Sequence, residues 1–222
     1  MSAGRATRTR RRRFDDNDQS RCVDERNCCT RLDSLPLISL IGLPGVGKST
    51  VGRHLARHLK RQFVDSDSVI ERELGCSIRE FFEREGEQRF RDIEQRVIGE
   101  LAGRADTVLA TGGGAVLREA NRKALRGAST VFYLRTTPDE LFRRLRHDTH
   151  RPLLQVRDPL RKLRELFAER DPLYRRTAHY VIETGRPSVA TLVNMVLMQL
   201  ELAGLVDPSV VPSPVEPRAP ER

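Results

Sequence analysis

A glycine-rich segment at residues 42–49, with the sequence GLPGVGKS, sets narrow limits on the fold of this chain. An apolar run, Leu37–Leu43, precedes it, and a helical pattern with Val51, Leu55 and Leu59 on one face follows it. When such a loop connects a strand to a helix, its backbone N–H groups surround a phosphate. The N-terminus of the helix also attracts the phosphate. The segment predicts a phosphate-binding α/β protein but leaves open whether it is a GTPase, an ATPase or a small-molecule kinase.

Short apolar runs alternate with helical patterns through the rest of residues 35–206. Four further runs predict strands, namely Phe63–Asp65, Thr107–Ala110, Thr130–Leu134 and Tyr180–Ile182. Helical patterns occupy Phe90–Leu101, Leu160–Arg170 and Val189–Leu200. Such alternation is typical of a parallel sheet with helices on both faces, which binds its ligands beyond the carboxyl ends of the strands.

The two ends of the chain differ in composition from this central part. Residues 1–34 carry an Arg cluster, Arg10–Arg13, and almost no apolar periodicity, which predicts a disordered arm. Residues 207–222 contain five prolines, which predicts a disordered tail. No apolar run approaches the roughly 18 residues that span a bilayer, and the first residues are Arg-rich, so we expect a cytoplasmic protein without a membrane partner.

The net charge of +9 is compatible with a nucleic-acid binder or with an enzyme that acts on anionic substrates. The basic excess is spread along the chain, and this favours the enzyme.

His54 and His58 have a spacing that could hold a metal, but no third ligand is near, so we expect solvated helix residues. The four cysteines show no zinc-site spacing.

Side chains in and near the predicted phosphate site suggest that the site binds Mg²⁺ and transfers a proton. Lys48 can reach the β- and γ-phosphates, and the hydroxyl of Ser49 is suited to Mg²⁺. Asp65 and Asp67 follow the second strand, so one carboxylate can serve the metal and the other can accept the proton of an attacking hydroxyl. A helix-capping Asp beside a turn is the alternative interpretation of this pair.

Further motifs follow in order: GEQRFRDIE at 86–94, ATGGGAV at 110–116, RPLL at 151–154 and ERDPLY at 169–174. Together with GLPGVGKST and FVDSDSVIE they resemble the shikimate kinases over nearly all of residues 35–206. The resemblance implies a three-layer P-loop kinase fold with a five-stranded parallel sheet, helices on both faces and a mobile lid at roughly 146–158. It also implies Mg²⁺-dependent transfer of the ATP γ-phosphate to the 3-hydroxyl of shikimate, in aromatic amino-acid biosynthesis.

The resemblance also assigns roles to residues. The positions implied to bind ATP are Gly45, Val46, Gly47, Lys48, Ser49, Thr50, Arg144 and Arg151. Those implied to bind shikimate are Asp67, Arg91, Gly112, Gly113, Gly114 and Arg170. Ser49 and Asp65 would hold the metal, and the catalytic residues would be Asp67, Lys48 and Arg151. The planar fork of Arg suits carboxylate and phosphate, which agrees with these roles.

Two rival functions remain open from the sequence. Another kinase of the same fold, such as one acting on gluconate, would share the phosphate loop but not the pair Arg91 and Arg170. A nucleic-acid-binding NTPase is supported only by the Arg-rich arm, which contains no interleaved aromatic residues. We therefore predict a monomer whose partners are ATP and shikimate, without nucleic acid.

Overall fold

The computed structural model describes residues 36–146, 157–185 and 187–210. Outside the described residues lie the predicted arm, most of the predicted lid with Arg151, and residues 211–222. The strands are β1 Leu37–Ile41, β2 Gln62–Asp65, β3 Thr107–Ala110, β4 Ser129–Arg135 and β5 Tyr180–Glu183. The α-helices are α1 Lys48–His58, α2 Ser66–Leu74, α3 Ile78–Glu85, α4 Glu87–Ala102, α5 Glu119–Ala128, α6 Pro138–Leu145, α7 Pro159–Thr177 and α8 Val189–Leu202.

The five strands form one parallel sheet in the order β2-β3-β1-β4-β5. One apolar cluster joins the sheet to helices such as α4 and α7, and a second joins it to α1 and α8. The helices therefore cover both faces, and the predicted three-layer α/β fold is confirmed. Because β3 lies between β1 and β2, the carboxyl ends of these three strands are neighbours at one edge of the sheet.

Strand ends differ slightly from the predicted ones. β1 ends at Ile41 rather than at Leu43, because Gly42 adopts a φ of 145° and its position lies tight against the Leu134 carbonyl. β4 extends one residue further at each end than predicted, and β5 includes Glu183. These are changes of one or two residues in elements that the sequence pattern identifies correctly.

Helix α7 is longer than the predicted segment 160–170. It begins after Asp158, whose side chain accepts a hydrogen bond from the Arg161 N–H at 2.9 Å, and it continues through Pro172 to Thr177. Proline inside a helix removes a backbone donor and disfavours the conformation. Tyr174 and Thr177 are nevertheless buried in the core, so packing of the last turn outweighs the local preference.

The sequence interpretation left several short helices unassigned, although their caps are recognisable. The side chains of Ser77 and Glu80 form a reciprocal capping box at the start of α3.

Residues 208–210, at the start of the predicted tail, form a 3₁₀ turn, where the Asp207 side chain accepts a hydrogen bond from the Ser209 N–H at 2.8 Å. Among the described helices, none is long and apolar enough to span a membrane.

Candidate active site

The loop between β1 and α1 lines a first cavity of about 560 Å³. Gly47 adopts a left-handed conformation, φ 100°, immediately before α1, which is a backbone state that glycine adopts without a steric cost. The Lys48 ammonium donates hydrogen bonds to the carbonyl groups of Gly42 and Leu43 at 2.9 and 3.0 Å, so its side chain crosses its own loop. The predicted positions Gly45–Thr50 all line this cavity.

Arg144 also lines the first cavity. Its guanidinium donates hydrogen bonds to the carbonyl groups of Thr184 and Gly185 after β5, and to that of Val46 in the phosphate loop at 3.5 Å. The side chain therefore ties the loop after β5 to the phosphate loop. Pro187 lines the same cavity and follows Arg186, which lies outside the described residues.

Ser49 and Asp65 lie in direct contact. The Ser49 hydroxyl donates a hydrogen bond of 2.6 Å to one oxygen of Asp65, and the other oxygen accepts the Asp67 N–H at 3.1 Å. Asp65 is thus the N-cap of α2, so the interpretation as a helix-capping Asp is correct for this residue. Asp65 also lies beside the phosphate loop, so capping does not exclude a place in the site. A hydroxyl and a carboxylate are the oxygen ligands that Mg²⁺ prefers, so the two residues fit this ion.

No group of three or more His, Cys, Asp or Glu side chains that could hold a metal occurs in the described part of the chain. A Mg²⁺ ion that takes most of its ligands from phosphates and water needs only one or two protein ligands. The pair of Ser49 and Asp65 is consistent with that mode of binding. His54 and His58 are exposed on α1, as predicted for solvated helix residues.

Asp67 lies in the first turn of α2 and lines a second cavity. Burial, reinforced by the neighbouring carboxylate of Asp65, raises the pKa of Asp67 to about 6, while the charge of Lys48 acts in the opposite direction. A carboxylate with a pKa near neutrality can take up a proton from a hydroxyl more readily than an ordinary Asp.

The second cavity, of about 620 Å³, brings Arg91 of α4 and Arg170 of α7 to the segment that follows β3. The Arg91 guanidinium donates to Glu94 at 2.8 Å and to Glu87 at 2.9 Å. One Nη of Arg170 donates to the carbonyl oxygen of Gly113 at 3.3 Å. The Arg91 and Arg170 side chains are only 12% and 13% exposed, so both belong to the site rather than to the surface.

The segment Gly112–Gly114 is glycine because other groups approach its backbone closely. A Cβ atom on Gly112 would overlap the carboxylate of Asp67, and one on Gly114 would overlap the guanidinium of Arg91. A Cβ atom on Gly113 would lie 2.5 Å from the ring of Pro44 in the phosphate loop. None of the three adopts a left-handed conformation, so space, and not backbone strain, requires glycine here.

The sequence interpretation missed two residues that build this site. Glu94 is 1% exposed and holds Arg91, and its spacing of three residues on the same helix was a usable signal. Burial raises the pKa of Glu94, although Arg91 opposes this change. Tyr174 donates a hydrogen bond of 2.6 Å to the Gly113 carbonyl, a contact that no local pattern indicates.

The two cavities are neighbours, because Lys48 lines the first, Asp67 lines the second, and the charge of Lys48 acts on Asp67. The first cavity is formed by a phosphate loop that opens a helix, and the second is lined with a buried carboxylate and two arginines. Together with the parallel sheet, this arrangement defines the class of P-loop kinases that act on small molecules.

Comparison with known proteins narrows the class to a family. The shikimate kinase profile matches residues 44–201. A shikimate kinase of Paracidovorax citrulli is 61% identical over 175 residues, which cover 78% of this chain and 96% of the relative. A structure described as shikimate kinase from Acinetobacter baumannii in complex with shikimate is 49% identical, with a TM-score of 0.72 over 77% of this chain and 94% of that one. The chain belongs to the shikimate kinase family.

A gluconokinase of Sinorhizobium meliloti superposes with a TM-score of 0.51 at 20% identity. Similarity at this level shows a common fold and says nothing about the acceptor. The rival kinase reaction on gluconate therefore gains no support beyond the shared architecture.

Proposed function

We propose that this enzyme transfers the γ-phosphate of ATP to the 3-hydroxyl of shikimate, giving shikimate 3-phosphate and ADP for aromatic amino-acid biosynthesis. The observation that carries the proposal is the convergence of Arg91 and Arg170 on one glycine segment beside Asp67. Two guanidinium groups and a carboxylate base in one cavity suit an acceptor that has both a carboxylate and a reactive hydroxyl. The matching family supports the same reaction.

The first cavity is the ATP site in this proposal. Backbone N–H groups of Gly45–Thr50 and the ammonium of Lys48 would bind the β- and γ-phosphates, and Arg144 would lie beside the adenine. Ser49 and Asp65 would hold Mg²⁺, which supplies positive charge to the phosphates when bound. Arg151, in the predicted lid, would contact the phosphates from the other side and help to exclude water.

In the reaction, the 3-hydroxyl oxygen forms a bond to the γ-phosphorus while the bond to the β,γ-bridging oxygen breaks and ADP leaves. Asp67 takes the hydroxyl proton, for which its raised pKa is suited. Lys48 stabilises the negative charge on the transferred group, because its ammonium lies within the loop that holds the phosphates.

Arg91 and Arg170 would bind the shikimate carboxylate on the far side of the acceptor cavity. Glu94 keeps Arg91 oriented, since it accepts a hydrogen bond from one Nη and is buried behind it. Gly112, Gly113 and Gly114 would contact the substrate through their backbone, which their lack of side chains leaves accessible from the cavity.

A coupled assay of ADP release tests the proposal. ATP and Mg²⁺ are supplied with shikimate, gluconate or a nucleoside monophosphate as the acceptor, and we expect turnover above background with shikimate alone. Faster turnover with either of the other acceptors would refute the substrate assignment while leaving the kinase class intact.

We also propose that the enzyme works as a cytoplasmic monomer that does not bind nucleic acid. In its support, many of the arginines on the described surface form ion pairs along helices, among them Arg79 with Glu83 and Arg161 with Glu165. Such pairs reduce the free positive charge that a polyanion needs. Analytical ultracentrifugation tests whether the enzyme is a monomer. A filter-binding titration with duplex DNA at two salt concentrations tests whether it binds nucleic acid.

A further inference from the structure

Tyr174 is fully buried, and its hydroxyl contacts the backbone of Gly113, which lines the acceptor cavity. Its O–H donates a hydrogen bond of 2.6 Å to the carbonyl oxygen of Gly113. Arg170, one helical turn earlier on α7, donates to the same oxygen at 3.3 Å. One carbonyl group therefore has two donors, of which only the arginine can also reach a ligand in the cavity.

The ring of Tyr174 is held in place by its neighbours. It stacks on Tyr133 with a centroid distance of 4.8 Å, and the Tyr133 hydroxyl donates to the carboxylate of Asp171 at 2.9 Å. Burial raises the pKa of the Tyr174 phenol, which therefore remains a protonated donor. The position of this hydroxyl is thus fixed by packing before any ligand arrives.

We propose that Tyr174 is a positioning residue for the acceptor, one that keeps the Gly113 carbonyl satisfied when Arg170 turns its guanidinium towards the substrate carboxylate. This inference rests on the proposed function of Arg170. Gly113 is partly buried, and a partly desolvated carbonyl that loses its donor costs free energy. The Tyr174 hydroxyl removes that cost from the binding step, and it also fixes the peptide group that forms the cavity wall.

The matched experiment compares Tyr174→Phe with Tyr133→Phe. Each variant removes one buried hydroxyl from the same stacked pair, but only Tyr174 donates to the cavity wall. Steady-state kinetics are measured with ATP and shikimate varied, below the lower of the two melting temperatures. We expect Tyr174→Phe to raise the KM for shikimate about five- to twentyfold with an unchanged KM for ATP. Tyr133→Phe should lower the melting temperature and leave both KM values unchanged.

A combination with Arg170→Lys sharpens the test. Because Tyr174 and Arg170 share one acceptor atom, their effects on the KM for shikimate should be non-additive, whereas those of Tyr133→Phe and Arg170→Lys should add. A wild-type KM for shikimate in Tyr174→Phe would overturn the inference, and so would a failure of this variant alone to fold, since the hydroxyl would then serve the fold. Failure of the proposed function would give a different result, because the wild-type enzyme itself would then not turn over shikimate.

Discussion

Asp67 lies in surroundings that disfavour its own charge. Burial, with the nearby Asp65 carboxylate, raises its pKa from 3.8 to about 6. Between these pH values the folded protein binds more protons than the unfolded chain, so the contribution of Asp67 to stability falls as the pH rises through this window. Above about pH 6 the charged base is a net cost to the free enzyme.

Replacement of Asp67 by Asn should therefore stabilise the enzyme that lacks ATP and Mg²⁺ while removing most of kcat. Two pKa units correspond to about 3 kcal/mol, so we expect a gain of that order in the free energy of unfolding at pH 8. Near pH 3.5 the gain should be small, because the carboxyl group is then mostly protonated in both states. Urea unfolding at the two pH values gives the comparison, and equal stability of the two proteins at pH 8 would contradict it.

The planar fork of arginine is the property on which the proposed carboxylate site depends. We expect Arg91→Lys and Arg170→Lys to raise the KM for shikimate by about tenfold or more, because a lysine cannot form the paired hydrogen bonds, and to leave the KM for ATP nearly unchanged. Arg164→Lys is the matched control, since Arg164 lies on α7 with an exposed side chain that pairs with Asp139. If the two site variants keep the wild-type KM for shikimate, the carboxylate assignment is wrong.

At the scale of elements, substitutions in the segment after β3 should separate the proposed catalytic role of Asp67 from the proposed binding role of Arg91. Gly112→Ala should lower kcat most, because its Cβ overlaps the Asp67 carboxylate, whereas Gly114→Ala should mainly raise the KM for shikimate by displacing Arg91. Gly99→Ala, at an exposed position of α4, meets no atom within 4 Å and should add up to about 1 kcal/mol of stability with unchanged kinetics. Identical kinetic profiles for the two site variants would contradict this division.

The local pattern predicted elements where one physical signal dominates. The buried runs of β1 and β3 and the longer periodic helices α1, α4 and α8 are of this kind. The course of α7 through Pro172 was not predictable, because burial of Tyr174 and Thr177 in the tertiary structure decides it. For the same reason the sequence indicated Arg170 by motif but gave no sign of the carbonyl that Tyr174 shares with it.

At the scale of the whole molecule, the strand order explains why distant motifs meet. The phosphate loop follows β1, the acidic pair follows β2 and the glycine segment follows β3, and these strands are adjacent in the parallel sheet. Their carboxyl ends therefore deliver three separate motifs to one edge. The pattern of alternating strands and helices predicted such an edge, but the order of the strands came from the structure alone.

Removal of residues 1–34 tests whether the kinase needs its predicted arm. The alignment with the Paracidovorax citrulli relative covers 96% of that protein but 78% of this chain, so a member of the family is complete without most of the additional length. We expect kcat, both KM values and the melting temperature to stay within error of the full chain, as measured by the coupled assay and calorimetry. A fall in melting temperature would show that the arm packs on the kinase domain.

The close packing around Gly112, Gly113 and Gly114 has a consequence for inhibition. Every amino-acid replacement of a glycine adds at least a Cβ atom, and at these positions that atom meets the carboxylate of Asp67, the ring of Pro44 or the guanidinium of Arg91. An inhibitor that takes its affinity from this backbone would contact groups that a substitution can change only by adding atoms beside Asp67, Pro44 or Arg91. Under the proposed roles, resistance substitutions at these glycines should cost activity, so we expect resistance to arise at the cavity wall formed by α3 instead.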